Sequence, residues 1–306
     1  MSAVAATLQL VGGFVLCPLI VGSIQTAKAH LQGRRGPSPL QPYRDLRRLW
    51  AKSAVDPEGA GPLYAAAPPC AAAAAAVAVL MVPLAGVSPG WGLGDDAIVL
   101  LAVLAVGRLA LAASAWDTGS GFGLMGASRD LMIAAFVELL VVVTFVAAAI
   151  PAASTSLAAM ADAANGWAVW SAAGHWCAAA AFAVAIVAET GRQPVDNPDT
   201  HLELTMIHEG PLLEYAGRDL AMLQWAAAAR HWVFLVVGAE LFLPHAGGFW
   251  PRLGALAIAV VVLVLGLAAA ETAQAKMRIL RVPALLLAAA LIAVAGVVVT
   301  VTGALA

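Results

Sequence analysis

Seven carboxylates fall between Glu189 and Asp219: Glu189, Asp196, Asp199, Glu203, Glu209, Glu214 and Asp219, offset by only Arg192 and Arg218. The chain has eighteen acids in 306 residues and is 62% hydrophobic, so this stretch is a concentrated patch in an apolar protein. Carboxylates held close in partly apolar surroundings raise one another's proton affinity and can exchange protons near neutral pH. Some of these acids have ordinary explanations. Thr200-x-x-Glu203 has the form of a capping box after Pro198, opening a helix that runs to about Glu209. Gly210-Pro211 then breaks it, and Pro211 suits the first turn of a second helix. Glu214 and Arg218 have the spacing of a helical ion pair, and Asp219 stands at the start of the next apolar segment. Glu189, Asp196, Asp199 and Glu209 have no such local role and are the first candidates for proton exchange.

Two further acids, Glu138 and Glu240, lie inside long apolar runs. A carboxylate at membrane depth is costly, and a functional role competes with a buried structural pair as its explanation. Arg108, Arg230, His175 and His231 are the partners the sequence offers. Other chemistries find less support. His201 and His208 are seven residues apart near Glu203 and Glu209, but there is no H-E-x-x-H, and no metal site is expected. Cys17, Cys70 and Cys177 are scattered through apolar segments without a C-x-x-C, so no iron–sulfur cluster or zinc is expected on this chain. Gly121-Phe-Gly123-Leu-Met-Gly126 is formally a G-x-G-x-x-G, but a nucleotide site needs a preceding strand and a βαβ unit. These glycines are read as a tight loop with close backbone packing. No nucleophilic triad stands out.

The elements that must hold these groups are membrane helices. A mean hydropathy of +0.89 and 11% charge place the chain outside the soluble range of about 25% charged residues. The expected fold is all-α: a polytopic integral membrane protein, one membrane domain over 1–306, with eight transmembrane helices. The spans fall at about 3–28, 66–88, 96–116, 129–151, 166–189, 219–244, 250–272 and 282–304, each near the 20 residues a crossing takes. No Lys or Arg precedes the first, so it is read as a span and not a signal peptide. The four connections on one side hold thirteen of the sixteen Lys and Arg residues, which makes that side cytoplasmic and puts both termini outside. The two substantial cytoplasmic loops are 29–65 and 190–218. In the first, Gly33, Gly36, Pro37 and Pro39 signal a turn, and Pro42 opens a helix. Tyr43, Leu46, Leu49 and Trp50 line one face of it, with Arg44, Arg47, Arg48 and Lys52 elsewhere. Such an amphipathic helix is either an anchor on anionic lipid or a docking surface for a cytoplasmic subunit. The net charge of −2 gives no reason to expect nucleic acid.

GRRGPSPLQPYRDLRRLWAK resembles the first cytoplasmic loop of the quinone-site membrane subunit of respiratory complex I, the NADH dehydrogenase subunit 1 family of NADH-quinone oxidoreductases. ETGRQPVDNPDTHLELTMIHEGPLLEYAGRD resembles the acidic loop of that family, and the resemblance covers essentially the whole chain. DTGSGFGLMGASRD and THLELTMIHE are similar to the branch found in group 4 membrane-bound [NiFe]-hydrogenases, including formate hydrogenlyase and hydrogenase-4 component C. The resemblance implies acids of the family at Asp45, Glu138, Glu189, Asp196, Glu203, Glu209 and Glu214. It implies basic positions at Arg34, Arg48, Lys52, Arg192 and Arg218. Asp130 after Arg129, Gly210-Pro211 and Ala216 depart from the family's pattern. On this basis Glu138, Glu189, Asp196, Asp199, Glu203, Glu209 and Glu214 are the expected proton-coupling groups, with Arg192 and Arg218 as charged partners. Arg34, Arg35, Asp45, Arg48 and Lys52 are the expected docking residues. The implied complex sits in the cytoplasmic membrane. It carries iron–sulfur clusters and nickel–iron in hydrogenase-like large and small subunits and a ferredoxin-like subunit, beside antiporter-like membrane subunits. The alternatives are a complex I subunit beside a quinone, which the sequence leaves open, and a docking scaffold without a proton role.

Overall fold

The structure is a computed structural model, and it describes residues 2–88, 94–196, 207–244 and 247–305. Asp199, Glu203 and His201, with the capping box at Thr200, lie outside the described residues. Every regular element among the described residues is helical: α1 (Ser2–Leu31), α2 (Gln41–Trp50), α3 (Pro62–Met81), α4 (Ala97–Thr118), α5 (Gly121–Ala152), α6 (Leu157–Ala164), α7 (Trp167–Ser171), α8 (Ala173–Glu189), α9 (Gly217–Phe242), α10 (Phe249–Ala273) and α11 (Val282–Leu305). Seven of them, α1, α3, α4, α5, α9, α10 and α11, are long and apolar enough to cross a membrane. α8 is apolar but shorter, at 17 residues. The span expected at 166–189 is interrupted because Ala172 takes an extended conformation between α7 and α8.

α3 runs from Pro62 and stops at Met81, earlier than the expected 66–88. Pro62 fits a first helical turn, where a missing N–H costs nothing. Val82 is extended ahead of Pro83, as a residue before proline prefers. α5 starts at Gly121, well before the expected 129, so the glycines of the G-x-G-x-x-G are helical and not a tight loop. Ser120 caps this start by accepting a hydrogen bond from the Gly123 N–H at 3.4 Å. Close packing is nevertheless their use. A Cβ on Gly126 would lie 2.7 Å from the Gly210 Cα and 2.8 Å from the Pro211 Cδ. The Gly210-Pro211 part of the acidic stretch therefore rests directly on the α5 backbone.

α9 is the central helix. Every residue from Ala228 to Phe242 is buried except half-buried Arg230, and α9 packs on α1, α2, α3, α8 and α10. A helix apolar on all sides finds its place inside a bundle. The peripheral helices instead expose rows of branched side chains, such as Ile258, Val261, Val262 and Leu265 on α10. Such surfaces suit lipid or a partner within the bilayer, and a row this large would be an association surface in water. α2 has no buried residue and carries Pro42 in its first turn, as the amphipathic pattern requires.

Two contacts tie the ends of the bundle together. At the end holding the acidic stretch, the Tyr64 and Tyr215 rings stack with centroids 4.4 Å apart. The Tyr215 hydroxyl donates to the Tyr64 carbonyl at 3.0 Å, and the Tyr64 hydroxyl to the Glu214 carbonyl at 2.9 Å. Burial pushes the Tyr215 phenol up to about 12, so it remains a donor at any physiological pH. At the opposite end Glu240, 1% exposed, accepts from the Ala85 N–H at 2.6 Å. Ala85 has φ of +55°, a conformation non-glycine residues rarely adopt, and this hydrogen bond holds it there. Glu240 therefore serves a turn, far along α9 from the other acids.

Candidate functional site

The site is organised by Arg108, in the middle of α4 and 6% exposed. Its guanidinium reaches Glu189 at the end of α8 at 2.6 Å, Glu138 on α5 at 3.3 Å and Asp130 on α5 at 3.8 Å. Asp130 and Glu138 are two turns apart on one face of α5, which is why one arginine can span both. A buried guanidinium is tolerable only with its charge compensated, and three carboxylates from two helices do that here. Glu189 and Asp130 are buried, whereas the Glu138 side chain is 42% exposed.

A second group begins where α8 ends. Asp196 lies 2.8 Å from the Lys276 ammonium and 3.1 Å from His208 Nδ1, and it also accepts from the His208 backbone N–H at 3.2 Å. Burial by itself would raise the Asp196 proton affinity. The His208 and Lys276 contacts outweigh it and hold the carboxyl well below the usual range. His208 Nε2 is 3.5 Å from Asp130, which links this group to the Arg108 cluster. A third group centres on Glu271 near the end of α10, 2% exposed. It is paired with Lys28 at 2.9 Å and with Arg192 at 3.3 Å. Arg192 Nε in turn faces His231 Nε2 at 3.4 Å, and His231 Nδ1 contacts the Ala227 carbonyl at 2.9 Å.

Members of all three groups line a cavity of about 860 Å³ between α1, α2, α4, α9 and the acidic stretch, while Glu138, Lys276, Lys28 and Glu271 stand behind its wall. Its wall mixes charges (Arg108, Asp130, Glu189, Arg192, Asp196, Arg230) with apolar residues such as Val21, Leu46, Leu49 and Leu223. Asp45, Arg48 and Lys52 contribute from the α2 side, with Arg48 3.4 Å from Asp45. Arg34 and Arg35 point away to the exposed surface.

Of the residues singled out from sequence, Glu138, Glu189, Asp196 and Arg192 enter the ionic groups, and Glu209 lines the cavity. Glu214 and Arg218 do not share a helical face, because α9 begins only at Gly217. Glu214 is half-buried beside the tyrosine stack through its carbonyl, and Arg218 is exposed. Lys28, Asp130, Glu271, Lys276 and the bridging place of His208 were missed. Lys28 and Glu271 carried a usable signal, each being a charge close to the end of an apolar run. Nothing local marked the pairings of Lys276 and His208: Asp196 is 12 residues from His208 and 80 from Lys276. Among the described residues no cluster of three or more His, Cys, Asp or Glu has the form of a metal site.

The protein family described as NADH dehydrogenase matches residues 4–302. The chain belongs to this family. It is 32% identical to formate hydrogenlyase subunit 4 of Escherichia coli (strain K12), over 91% of this chain and 92% of that protein. It is 33% identical to hydrogenase-4 component C of the same organism, over 85% and 81%. A chain of the membrane-bound sulfane sulfur reductase, an archaeal respiratory membrane complex, shares the fold with a TM-score of 0.82 at 20% identity, over 97% of this chain and 98% of that one. Family and fold agree with the seven long apolar helices: this is a polytopic integral membrane protein.

Proposed function

We propose that this chain is the membrane anchor and proton-coupling subunit of a group 4 [NiFe]-hydrogenase or formate-hydrogenlyase-type complex. The observation that carries the proton role is the alternation of carboxylates with basic side chains from Lys276 and Asp196, through His208 and Asp130, to Arg108, Glu189 and Glu138. In such a series, neutralising one carboxylate changes the hold on the next cation, so charge change at one end is felt at the other. Glu138 ends the series half-exposed inside a membrane helix. Lipid is a poor neighbour for it, which suits a further membrane subunit at that face. Relatives named as hydrogenase-type subunits, at 32% and 33% identity, support the choice of complex.

In this reading, α8 completes eight crossings of the cytoplasmic membrane by one domain with both termini outside. The loops 29–65 and 190–218 dock the peripheral arm, through Arg34 and Arg35 on the surface and through Asp45, Arg48 and Lys52 beside the cavity mouth. Asp199 and Glu203 belong to the same acidic loop. The large and small hydrogenase-like subunits and a ferredoxin-like subunit hold the nickel–iron and iron–sulfur centres. A change of charge or shape at that arm alters the proton affinities of the carboxylates, and this coupling drives proton movement. Replacement of Glu138, Glu189 or Glu209 by Gln is expected to abolish proton translocation in an assembled complex reconstituted in vesicles. Normal translocation in all three variants would leave a docking scaffold as the better description. The cavity, with its mixed polar and apolar wall, favours one second reading, a complex I subunit beside a quinone. Loss of the complex's activity with quinone-site inhibitors, and no nickel in the purified complex, would establish that reading instead.

A further inference from the structure

We propose that His208 is the proton-transfer residue that passes protons from the cavity to the buried Arg108 cluster; this rests on the proton-coupling reading above. Its imidazole stands between two carboxylates. Nδ1 is 3.1 Å from Asp196 and Nε2 is 3.5 Å from Asp130. The two ring nitrogens have different surroundings, and this gives the transfer a direction. Asp196 is held ionised by Lys276 at 2.8 Å and grips both the His208 backbone N–H and Nδ1. An ionised carboxylate at Nδ1 keeps the proton there, which leaves the Nε2 lone pair as the exchanging position. Both residues line the cavity, but the His208 side chain is 22% exposed and that of Asp130, which touches Arg108, only 11%. Nε2 is thus the more accessible group, with the less exposed acid beside it.

The step is a simple proton transfer. A hydronium ion on the cavity side gives its proton to Nε2 and leaves as water, the Nε2 lone pair becoming the N–H bond. The ring then tilts so that this N–H points at Asp130 Oδ1, where the bond breaks, forming O–H and returning the electron pair to Nε2. Neutral Asp130 no longer holds Arg108, so the guanidinium is left to Glu189 and Glu138, and the charge change has moved inward. Among the described residues, Glu189 at the end of α8 and His231 on α9 also couple to the charge of the ring, beside Asp130, Asp196 and Lys276. The backbone is shaped for the ring. Gly191 has φ of +60°, and a Cβ there would stand 2.9 Å from His208 Nδ1. Only a residue without a side chain leaves the space in which the imidazole lies against Asp196.

The test uses the whole complex in vesicles and measures the proton translocation rate in His208→Ala, His208→Gln and Glu189→Gln. His208→Gln keeps a hydrogen-bonding side chain but cannot carry a proton at neutral pH. Both His208 variants are expected to lower the rate about a hundredfold, the usual contribution of a positioned proton carrier. Millimolar imidazole, entering through the cavity, is expected to restore His208→Ala but not His208→Gln, with a pH profile that shifts when 4-methylimidazole replaces it. A purely structural histidine would show no such shift. Wild-type rates in His208→Gln with a block in Glu189→Gln would overturn the His208 step and leave proton coupling standing. Wild-type rates in all variants would overturn both. Loss of rate in His208→Ala and His208→Gln with no rescue in His208→Ala would assign His208 a structural role and overturn the transfer.

Discussion

Arg108 offers the sharpest quantitative test of the buried network. At an effective dielectric of about 20, its contacts at 2.6, 3.3 and 3.8 Å correspond to attractions of about 6, 5 and 4 kcal/mol. The Glu138 share is discounted because that side chain is 42% exposed and screened by its surroundings. Desolvation of the guanidinium and of Glu189 offsets much of the remainder, so the intact cluster adds little net stability. Removing only the cation is a different matter, because Glu189 and Asp130 lose their directly bound counter-charge and keep only the influence of Arg230 and His208 nearby. Arg108→Gln is therefore expected to cost about 3–5 kcal/mol, the usual effect of breaking a buried pair from one side. That corresponds to a fall of about two to three and a half orders of magnitude in the folded-to-unfolded ratio, at about 1.4 kcal/mol per decade. The measurement is the thermal inactivation half-life of the assembled complex and the amount of subunit retained in it. Arg108→Gln combined with Glu189→Gln removes the charge on both sides and is expected to recover a large part of the loss. If the single variant were as long-lived as wild type, or the double variant no better than the single, the ionic account of the cluster would be refuted.

The depressed proton affinity of Asp196 gives an acid-side prediction. A carboxyl whose folded pKa lies below its unfolded value contributes stability above the unfolded value, and loses it as pH falls through the folded one. At neutral pH the Asp196–Lys276 link is intact, and it fails only below the ordinary carboxylate range near pH 4. Lys276→Gln removes one of the two groups that depress it, so the midpoint of acid inactivation should move to higher pH; an unchanged midpoint would show that Lys276 does not hold Asp196. Gly126→Ala would press a methyl against backbone on the facing segment, with contacts of 2.7 and 2.8 Å that no side-chain rotation relieves. It is expected to cost about 1–3 kcal/mol, as overpacking does, and to shorten the thermal half-life of the complex while Gly121→Ala, with open space around it, is tolerated.

Composition and periodicity were enough for the membrane class, for most of the long helices and for α2, because twenty apolar residues can satisfy their backbone only as a helix in lipid. Glu138, Glu189 and Asp196 were also visible as charges without a local role. Element ends were less legible: α3, α5 and the broken α7–α8 span depend on where one backbone rests on another, as at Gly126 and Gly210. The pairings were legible only as candidates: Arg108 was one of four partners offered for Glu138 and Glu240, and it does reach Glu138. Arg108 and Glu189 are 81 residues apart, Lys28 and Glu271 are 243, and Lys276 and Asp196 are 80. A buried charge states in the sequence only that it needs a partner; which partner is decided by how the helices cross. Position decided Glu240 as well, since the same residue type in the same kind of helix serves the Ala85 turn and not the ionic series. His208 shows the division best. Its sequence context suggested at most a weak metal ligand, and only the tertiary structure, by bringing Asp130 to one nitrogen and Asp196 to the other, gives the ring a use.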